Sequence, residues 1–229
     1  MKAVRARGDV VHRNALIKTL RLVRWAALSL IGVFLVGVVI LELGSRSELA
    51  IKDGARSAIS IPPDALIGGP FHLTDDKGHP ATDFDYRGRW MLVYFGYTNC
   101  PDACPLALQK MTVALGNLGP LANQLAPLFI TVDPARDTPR RLASYLENFD
   151  PRIVGVTGSD QQIAAAAKAY HVYYSSSEPD KSGAYVVSHS SFFYLMDPSG
   201  RFNALLPLDV KVDELGIVLR GKIGSTRQP

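Results

Sequence analysis

Cysteine is scarce in this 229-residue sequence, and the short motifs of several enzyme classes are missing. There is no Gly-x-Ser-x-Gly nucleophile elbow, no Gly-x-Gly-x-x-Gly after a strand and no Walker-type Gly-Lys-Ser/Thr. These absences argue against an α/β-type serine hydrolase, a dinucleotide-binding enzyme and a P-loop NTPase. Internal repeats and low-complexity tracts are also absent from the sequence.

Positive charge is concentrated at the N-terminus. The formal net charge of the chain is +4, but residues 1–24 contain seven Lys or Arg and only one acid, Asp9, and therefore carry +6. The rest of the chain sums to −2. The basic balance is thus a signal of membrane topology and gives no support for nucleic-acid binding.

An apolar run follows this basic head. Residues 25–41 contain no charged side chain, and as a helix they would span about 25 Å, close to the thickness of a bilayer core. A cleaved signal peptide is the competing interpretation, although its apolar region is usually shorter. We predict a cytoplasmic or matrix head at 1–24, a single-pass inner-membrane anchor at 25–43 and a tether at 44–64. One domain, residues 65–229, would then lie in the periplasm or intermembrane space.

Apolar periodicity in that domain predicts strands that alternate with helices. A hairpin is predicted around 75–78, and a second hairpin, formed by 191–196 and 202–206, around 197–200. The remaining predicted elements are strands at 90–95, 127–132 and 153–156 and helices at 105–118, 140–148, 160–170 and 212–220. This order is typical of an α/β fold in which a central sheet is flanked by helices.

The only cysteines, Cys100 and Cys104, lie where the first long strand leads into a helix. On a helix, this spacing places their Cα atoms roughly 6 Å apart, which suits either a disulfide or two thiolates on one metal ion. The positive end of the helix dipole favours thiolate at both positions. Three interpretations of the pair therefore remain open: a redox-active dithiol, two ligands of one metal ion, and a purely structural disulfide.

Three motifs, in this order along the chain, resemble those of the Sco/SenC family of membrane-anchored, thioredoxin-like copper proteins. They are Gly-Tyr-Thr-Asn-Cys-Pro-Asp-Ala-Cys-Pro at 96–105, Thr-Val-Asp-Pro-Ala-Arg-Asp-Thr-Pro at 131–139 and Val-Ser-His-Ser at 187–190. The resemblance covers about residues 64–222. It implies a thioredoxin-like fold and a copper chaperone that serves the CuA centre of cytochrome c oxidase during its assembly.

The resemblance also implies a ligand set and partners. By motif matching, Cys100 and Cys104 would be thiolate ligands and His189 the imidazole ligand of copper, as Cu(I) or Cu(II). The implied partners are the CuA-bearing oxidase subunit, an upstream copper donor, a thiol reductant and the membrane. Asn99 stands where some family members carry His.

The chemistry of these side chains agrees with copper. Soft thiolates select Cu(I), and thiolates with an imidazole can also hold Cu(II). Zinc would be expected to need a fourth ligand or a water molecule. Four methionines are too few for a Met-rich copper-storage surface.

His189 is favoured over the other histidines only through its motif. His12, His72, His79 and His171 are interpreted as surface or otherwise satisfied residues. Two aspartates in the second motif have simple local interpretations, Asp133 as a strand-end residue and Asp137 as a helix N-cap. The resemblance adds that their loop lies near the metal site, where it would steer a partner or a second metal.

An alternative function uses the same cysteines catalytically. In an extracytoplasmic thiol-disulfide oxidoreductase, one of Cys100 and Cys104 would attack a partner's disulfide, such as that of the acceptor site, and the other would resolve the mixed disulfide. Both cysteines would then be essential and His189 would not. Three residues between the cysteines, including Pro101, weaken the analogy with Cys-x-x-Cys enzymes. A peroxidase of the same fold would need a Thr, Gln or Trp constellation that the sequence does not reveal. We therefore expect a binding protein rather than an enzyme.

Overall fold

The computed structural model describes residues 67–225. The predicted head, membrane anchor and tether lie outside these residues and stay predictions. Within residues 67–225, no helix is both long and apolar enough to cross a bilayer.

The described residues form nine strands and four α-helices, together with 3-10 turns at Asp83–Tyr86 and Gly119–Gln124. The strands are β1 His72–Asp75, β2 Pro80–Thr82, β3 Trp90–Gly96, β4 Leu125–Thr131, β5 Val154–Thr157, β6 Tyr174–Ser176, β7 Val187–His189, β8 Phe192–Met196 and β9 Phe202–Pro207. The helices are α1 Ala103–Leu118, α2 Pro139–Leu146, α3 Asp160–Ala169 and α4 Val212–Ser225.

Seven of the strands form one mixed sheet in the order β2-β1-β5-β4-β3-β8-β9. Strands β3, β4 and β5 are parallel neighbours, and β3 is antiparallel to β8 on its other side. In the register of β3 and β4, Gly96 lies opposite Thr131, so both strands end at the same edge of the sheet. The segments that follow these two strands therefore meet at that edge.

The central strands are buried along their whole length because helices cover both faces of the sheet. Every residue of β3 and β4 is buried. On one face, the Tyr94 ring stacks on Phe129 with centroids 6.4 Å apart, and Phe129 contacts Tyr145 of α2. On the other face, Phe95 packs against Tyr170 at the end of α3. This arrangement confirms the predicted α/β sheet and explains why β3 shows no polar alternation.

Local sequence signals set the ends of the helices. Helix α2 begins with Pro139, and the Thr138 hydroxyl oxygen accepts the Arg141 N–H at 3.2 Å. Helix α3 begins with a capping box between Ser159 and Gln162. The N-cap of α2 is therefore Thr138, and the prediction that Asp137 caps this helix is wrong.

A small second sheet was not predicted. Strands β6 and β7 pair antiparallel, with Tyr174 opposite His189 and Ser176 opposite Val187, and they belong to no other sheet among the described residues. We call residues 174–189 the histidine hairpin. The strands have three residues each and are joined by a largely exposed segment. Such short strands show too little apolar periodicity to be predicted from the sequence.

Candidate metal centre

The two cysteines lie on the segment that links β3 to α1. Cys104 is the second residue of α1 and is buried, whereas Cys100 precedes the helix and is half-buried. The Tyr97 N–H lies 3.4 Å from the Cys104 Sγ, and the Cys104 N–H lies 3.4 Å from the Cys100 Sγ. Each sulfur thus accepts a backbone N–H, which favours negative charge on sulfur.

Gly96 makes room for the buried sulfur. A Cβ atom at this position would lie 2.8 Å from the Cys104 Sγ and 2.7 Å from the Phe129 ring. Both distances are far inside van der Waals contact. The strand can pass this close to α1 only because residue 96 has no side chain.

His189 completes the group from the histidine hairpin, 85 residues after Cys104. Its Nε2 lies 3.5 Å from the Cys104 Sγ, and its Nδ1 lies 3.1 Å from the Ser190 carbonyl oxygen. Because a carbonyl only accepts hydrogen bonds, this contact places a proton on Nδ1, and Nε2 is the ring nitrogen that faces the sulfur. The two sulfur atoms and a ring nitrogen of His189 lie within 4.8 Å of one another.

This group is the one cluster of three or more potential metal ligands from His, Cys, Asp and Glu found within residues 67–225. The other described histidines, His72, His79 and His171, do not belong to it. His79 lies 3.4 Å from Asp75 in the first hairpin. His12 lies outside the described residues.

The two thiols have opposite pKa shifts. A hydrogen bond from the Cys104 thiol lowers the pKa of Cys100 to about 4, with further support from backbone N–H groups. The same hydrogen bond, together with burial, raises the pKa of Cys104 above its ordinary value. The pKa of Cys100 is lowered as expected and that of Cys104 is raised, but the largest cause of both shifts is the contact between the two thiols rather than the helix start. One proton is shared by the pair and stays on the inner sulfur.

Two tyrosine rings enclose the imidazole. The ring centroids of Tyr94 and Tyr97 lie 6.0 Å and 5.9 Å from that of His189, and both rings are tilted 88° from it. Both tyrosines are buried, and burial raises their pKa values. These edge contacts exclude water from the inner side of the group and restrict rotation of the imidazole.

Asp137 lies beneath the cysteine-bearing segment rather than at the metal group. Its buried carboxylate accepts hydrogen bonds from the Thr98 N–H at 2.9 Å, the Thr98 hydroxyl at 2.6 Å and the Thr131 hydroxyl at 2.6 Å. Arg141 adds bonds to the Thr98 hydroxyl and to the Asn99 side chain. Asp137 thereby joins the ends of β3 and β4 two residues before Cys100.

Asp133 has different partners. Its carboxylate accepts the Arg136 Nε–H and the Tyr185 hydroxyl. Neither aspartate belongs to the cysteine and histidine group. Sequence reasoning missed Thr98, Thr131 and Tyr185 as partners of these carboxylates. Thr98 and Thr131 could have been predicted, because polar residues at the ends of two buried, neighbouring parallel strands meet at one edge of the sheet.

The group fits copper by its donor chemistry. Two sulfur atoms and one imidazole nitrogen form a soft donor set that suits Cu(I) and can also accept Cu(II). The proton on Nδ1 and its bond to the Ser190 carbonyl leave Nε2 ready to donate to a metal. Fold and group together define a class: thioredoxin-like α/β proteins that carry a Cys, Cys, His metal-binding group.

Comparison with known proteins identifies the family. The SCO1/SenC family model matches residues 60–220, and the chain belongs to this family. Among curated proteins, it is 47% identical over 139 residues to the mitochondrial SCO1 homolog of Mus musculus, covering 60% of this chain and 49% of that protein. The chain spans about half the length of the curated relatives that it matches first.

Solved structures share the fold. The copper-bound structure of Bradyrhizobium japonicum ScoI matches with a TM-score of 0.64 and 40% identity, covering 68% of this chain and 99% of that one. BsSco is a member of the Sco family of cytochrome c oxidase assembly proteins in which a disulfide switch has been identified. It matches with a TM-score of 0.56 and 22% identity, over 72% of this chain and 98% of its own. At that identity the likeness shows the fold alone.

Proposed function

We propose that this protein is a copper metallochaperone: Cys100, Cys104 and His189 bind one copper ion as cargo and deliver it to the CuA site of cytochrome c oxidase during its assembly. The observation that carries the proposal is the convergence of the two sulfurs and the imidazole nitrogen within 4.8 Å of one another. The group forms at the edge of the sheet from two separate segments of the chain, and its donor set suits copper.

The different exposure of the ligands suggests how copper leaves. Cys104 is fully buried, whereas Cys100 is half-buried and lies at the surface of the domain. A partner's thiolate or imidazole can therefore reach the ion from the Cys100 side and replace that ligand first. Because the pKa of Cys100 is about 4, this sulfur needs no deprotonation at neutral pH, while binding at Cys104 must displace a proton.

Family membership supports the acceptor and the location. The ScoI relative is copper-bound, BsSco belongs to a family of cytochrome c oxidase assembly proteins, and the mouse relative is mitochondrial. We propose that residues 25–43 anchor the chain in an inner membrane and that the domain faces the periplasm or intermembrane space. An upstream copper donor and a thiol reductant complete the proposed set of partners.

The proposal is tested by anaerobic Cu(I) competition titration of the reduced full chain in mild detergent. We expect one tight equivalent in the wild type, with affinity at least about a hundredfold weaker in Cys100→Ser, Cys104→Ser and His189→Ala. His79→Ala is the matched control, because that imidazole is exposed and lies in the first hairpin. Copper binding that is absent, or that is unchanged by His189→Ala, would refute the ligand set.

The alternative role as a thiol-disulfide oxidoreductase is less well supported. It explains the two free cysteines and the low pKa of Cys100. It gives His189, whose Nε2 faces the inner sulfur, only a minor part in lowering the pKa of Cys100. A redox catalyst would keep most of its rate of disulfide reduction in His189→Ala, whereas a copper site would lose affinity, so the same variant separates the two functions.

A further inference from the structure

The position of His189 depends on how the histidine hairpin is held. The two cysteines belong to the main sheet and its first helix, but His189 ends β7 of the separate two-stranded sheet. Most residues between β6 and β7 are exposed, so this part of the hairpin has little core of its own. Contacts from the main sheet must therefore fix the distance between the imidazole and the sulfurs.

One residue of the hairpin, Tyr185, makes three of these contacts. Its hydroxyl donates to the Asp133 carboxylate at 2.7 Å, and its carbonyl oxygen accepts from the Arg136 Nη1 at 3.1 Å. The Arg136 guanidinium also lies over the Tyr185 ring, with its central carbon 3.7 Å from the ring centroid. Asp133 and Arg136 follow β4, so they belong to the main body. We call Asp133, Arg136 and Tyr185 the latch.

An ion pair joins two residues of the latch, Arg136 and Asp133. The Arg136 Nε donates to the Asp133 carboxylate at 2.5 Å, and Asp133 is only 4% exposed. The carboxylate thus holds the guanidinium plane and the tyrosine hydroxyl at the same time. A charge-assisted bond to a planar guanidinium fixes orientation as well as distance.

Tyr97 connects the latch to the imidazole. The Arg136 guanidinium carbon lies 5.7 Å from the Tyr97 ring centroid, and the His189 ring lies 5.9 Å from the same ring. The Tyr97 hydroxyl oxygen accepts the Val187 N–H at 3.4 Å, two residues before His189. Contacts therefore run without a gap from Arg136 through Tyr97 to His189 and to the backbone of β7.

We propose that Arg136 and Tyr185 are positioning residues that hold His189 against the two cysteine sulfurs and thereby set the affinity of the group for Cu(II) relative to its affinity for Cu(I). The inference rests on the proposed copper function. Neither residue contacts the ligand atoms; both act through the hairpin and Tyr97. Two thiolates alone suit soft Cu(I), whereas Cu(II) gains more from an imidazole nitrogen. A displaced imidazole therefore weakens Cu(II) binding more than Cu(I) binding.

The test uses Arg136→Lys and Tyr185→Ala in the full chain, with copper ions alone as the probe. We expect Cu(II) affinity to fall about tenfold in each variant, as for other residues that support a ligand, while Cu(I) affinity changes by less than about threefold. The imidazole nitrogen splitting in the Cu(II) electron paramagnetic resonance spectrum should weaken in parallel. Arg136→Lys keeps the positive charge but loses the planar stack, so it separates geometry from net charge.

Tyr173→Ala is the matched control. Tyr173 is 67% exposed, stands just before β6 and bonds through its hydroxyl to Ser175 of the same segment. Its replacement should leave both copper affinities unchanged. Tyr185→Phe, which keeps the ring but loses the bond to Asp133, should fall between the wild type and Tyr185→Ala.

A double-mutant cycle with His189→Ala tests whether the loss of Cu(II) affinity in the Tyr185 variant acts through His189. In that background, Tyr185→Ala should cause no further loss of Cu(II) affinity. An equal loss in both backgrounds, or full Cu(II) affinity in Arg136→Lys, would overturn the positioning role while leaving the copper function intact. Failure of the copper function has a different signature, since His189→Ala alone would then leave copper binding unchanged.

Discussion

The two cysteine sulfurs differ sharply although they are four residues apart. Cys104 is buried beside Gly96 and accepts a hydrogen bond from the Tyr97 N–H, while Cys100 lies closer to solvent and accepts hydrogen bonds from the Cys104 N–H and the Cys104 thiol. This asymmetry gives each sulfur its own task in the proposed transfer. The inner sulfur retains the ion and the outer sulfur is exchanged.

The low pKa of Cys100 can be measured by alkylation. In the metal-free reduced chain, the rate of reaction of Cys100 with iodoacetamide should be nearly constant from pH 6 to pH 8, because a thiol with a pKa of about 4 is already ionised there. An ordinary cysteine of pKa about 8.5 would speed up by about 80-fold over the same range. Mass spectrometry of the modified peptide gives the rate at this residue.

Cys104→Ala provides the matched variant for this measurement. It removes the hydrogen bond that contributes most to the shift, so the pKa of Cys100 should rise and the alkylation rate should become dependent on pH. A pH profile that stays flat in Cys104→Ala would show that the backbone donors alone suffice. A steep profile in the wild type would contradict the assigned shift.

At the scale of elements, Asp137 connects the segments that build the site. Its carboxylate joins the residue two before Cys100 to the end of β4, and it stands directly before the N-cap of α2. As a buried anion it is balanced by three hydrogen-bond donors from Thr98 and Thr131. The Asp137 side chain thus links the threonines at the ends of two strands to the start of α2.

Replacing this carboxylate should loosen the segment. Asp137→Asn replaces one acceptor oxygen with an NH₂ group and removes the negative charge, so three charge-assisted bonds are weakened and at least one partner must turn from donor to acceptor or lose its bond. We expect about 2 to 4 kcal/mol lower free energy of unfolding. Urea unfolding of the metal-free chain measures the change. Asp102→Asn is the control, because Asp102 is exposed and its side chain makes no capping bond to α1. A loss for Asp137→Asn as small as that of the control would contradict this role.

The element scale also shows where prediction from sequence succeeds. Strands β3 and β4, helix α3 and the turn at 197–200 have strong local signals, and the structure confirms them, with Gly200 N–H bonded to the Asp197 carbonyl at 2.7 Å. The N-cap of α2 was assigned one residue too early, since Thr138 and Asp137 are both good caps by type. Only the tertiary contacts of Asp137 with Thr98 and Thr131 remove it from that role.

For the whole molecule, bound copper should act as a clamp between the main sheet and the histidine hairpin. A ligand that binds only the folded chain, at a free concentration a thousand times its dissociation constant, adds about 4 kcal/mol of stability. For a domain of this size that corresponds to a rise in Tm of about 10 °C. Thermal unfolding with and without Cu(I), under anaerobic conditions, measures it.

His189→Ala tests whether the hairpin takes part in this clamp. The variant should show a smaller copper-dependent rise in Tm, because the ion then contacts only the cysteine segment. The His79→Ala control should show the full rise. An equal rise in wild type and His189→Ala would mean that copper does not connect the hairpin to the sheet.

The sequence by itself determined the alternating order of strands and helices, the pair of cysteines at a strand-to-helix junction and, through its motifs, the family. These features are local, because apolar periodicity, helix caps and residue spacing each depend on residues that are close together in the sequence. Only the tertiary structure decided that His189 and no other described histidine reaches the sulfurs, that the two thiols ionise differently and that Tyr185 fastens the histidine hairpin. The first and the third depend on contacts between segments distant in sequence, and the second depends on the burial of Cys104 by the fold as well as on its contact with Cys100. Such burial and such distant contacts cannot be read from apolar periodicity.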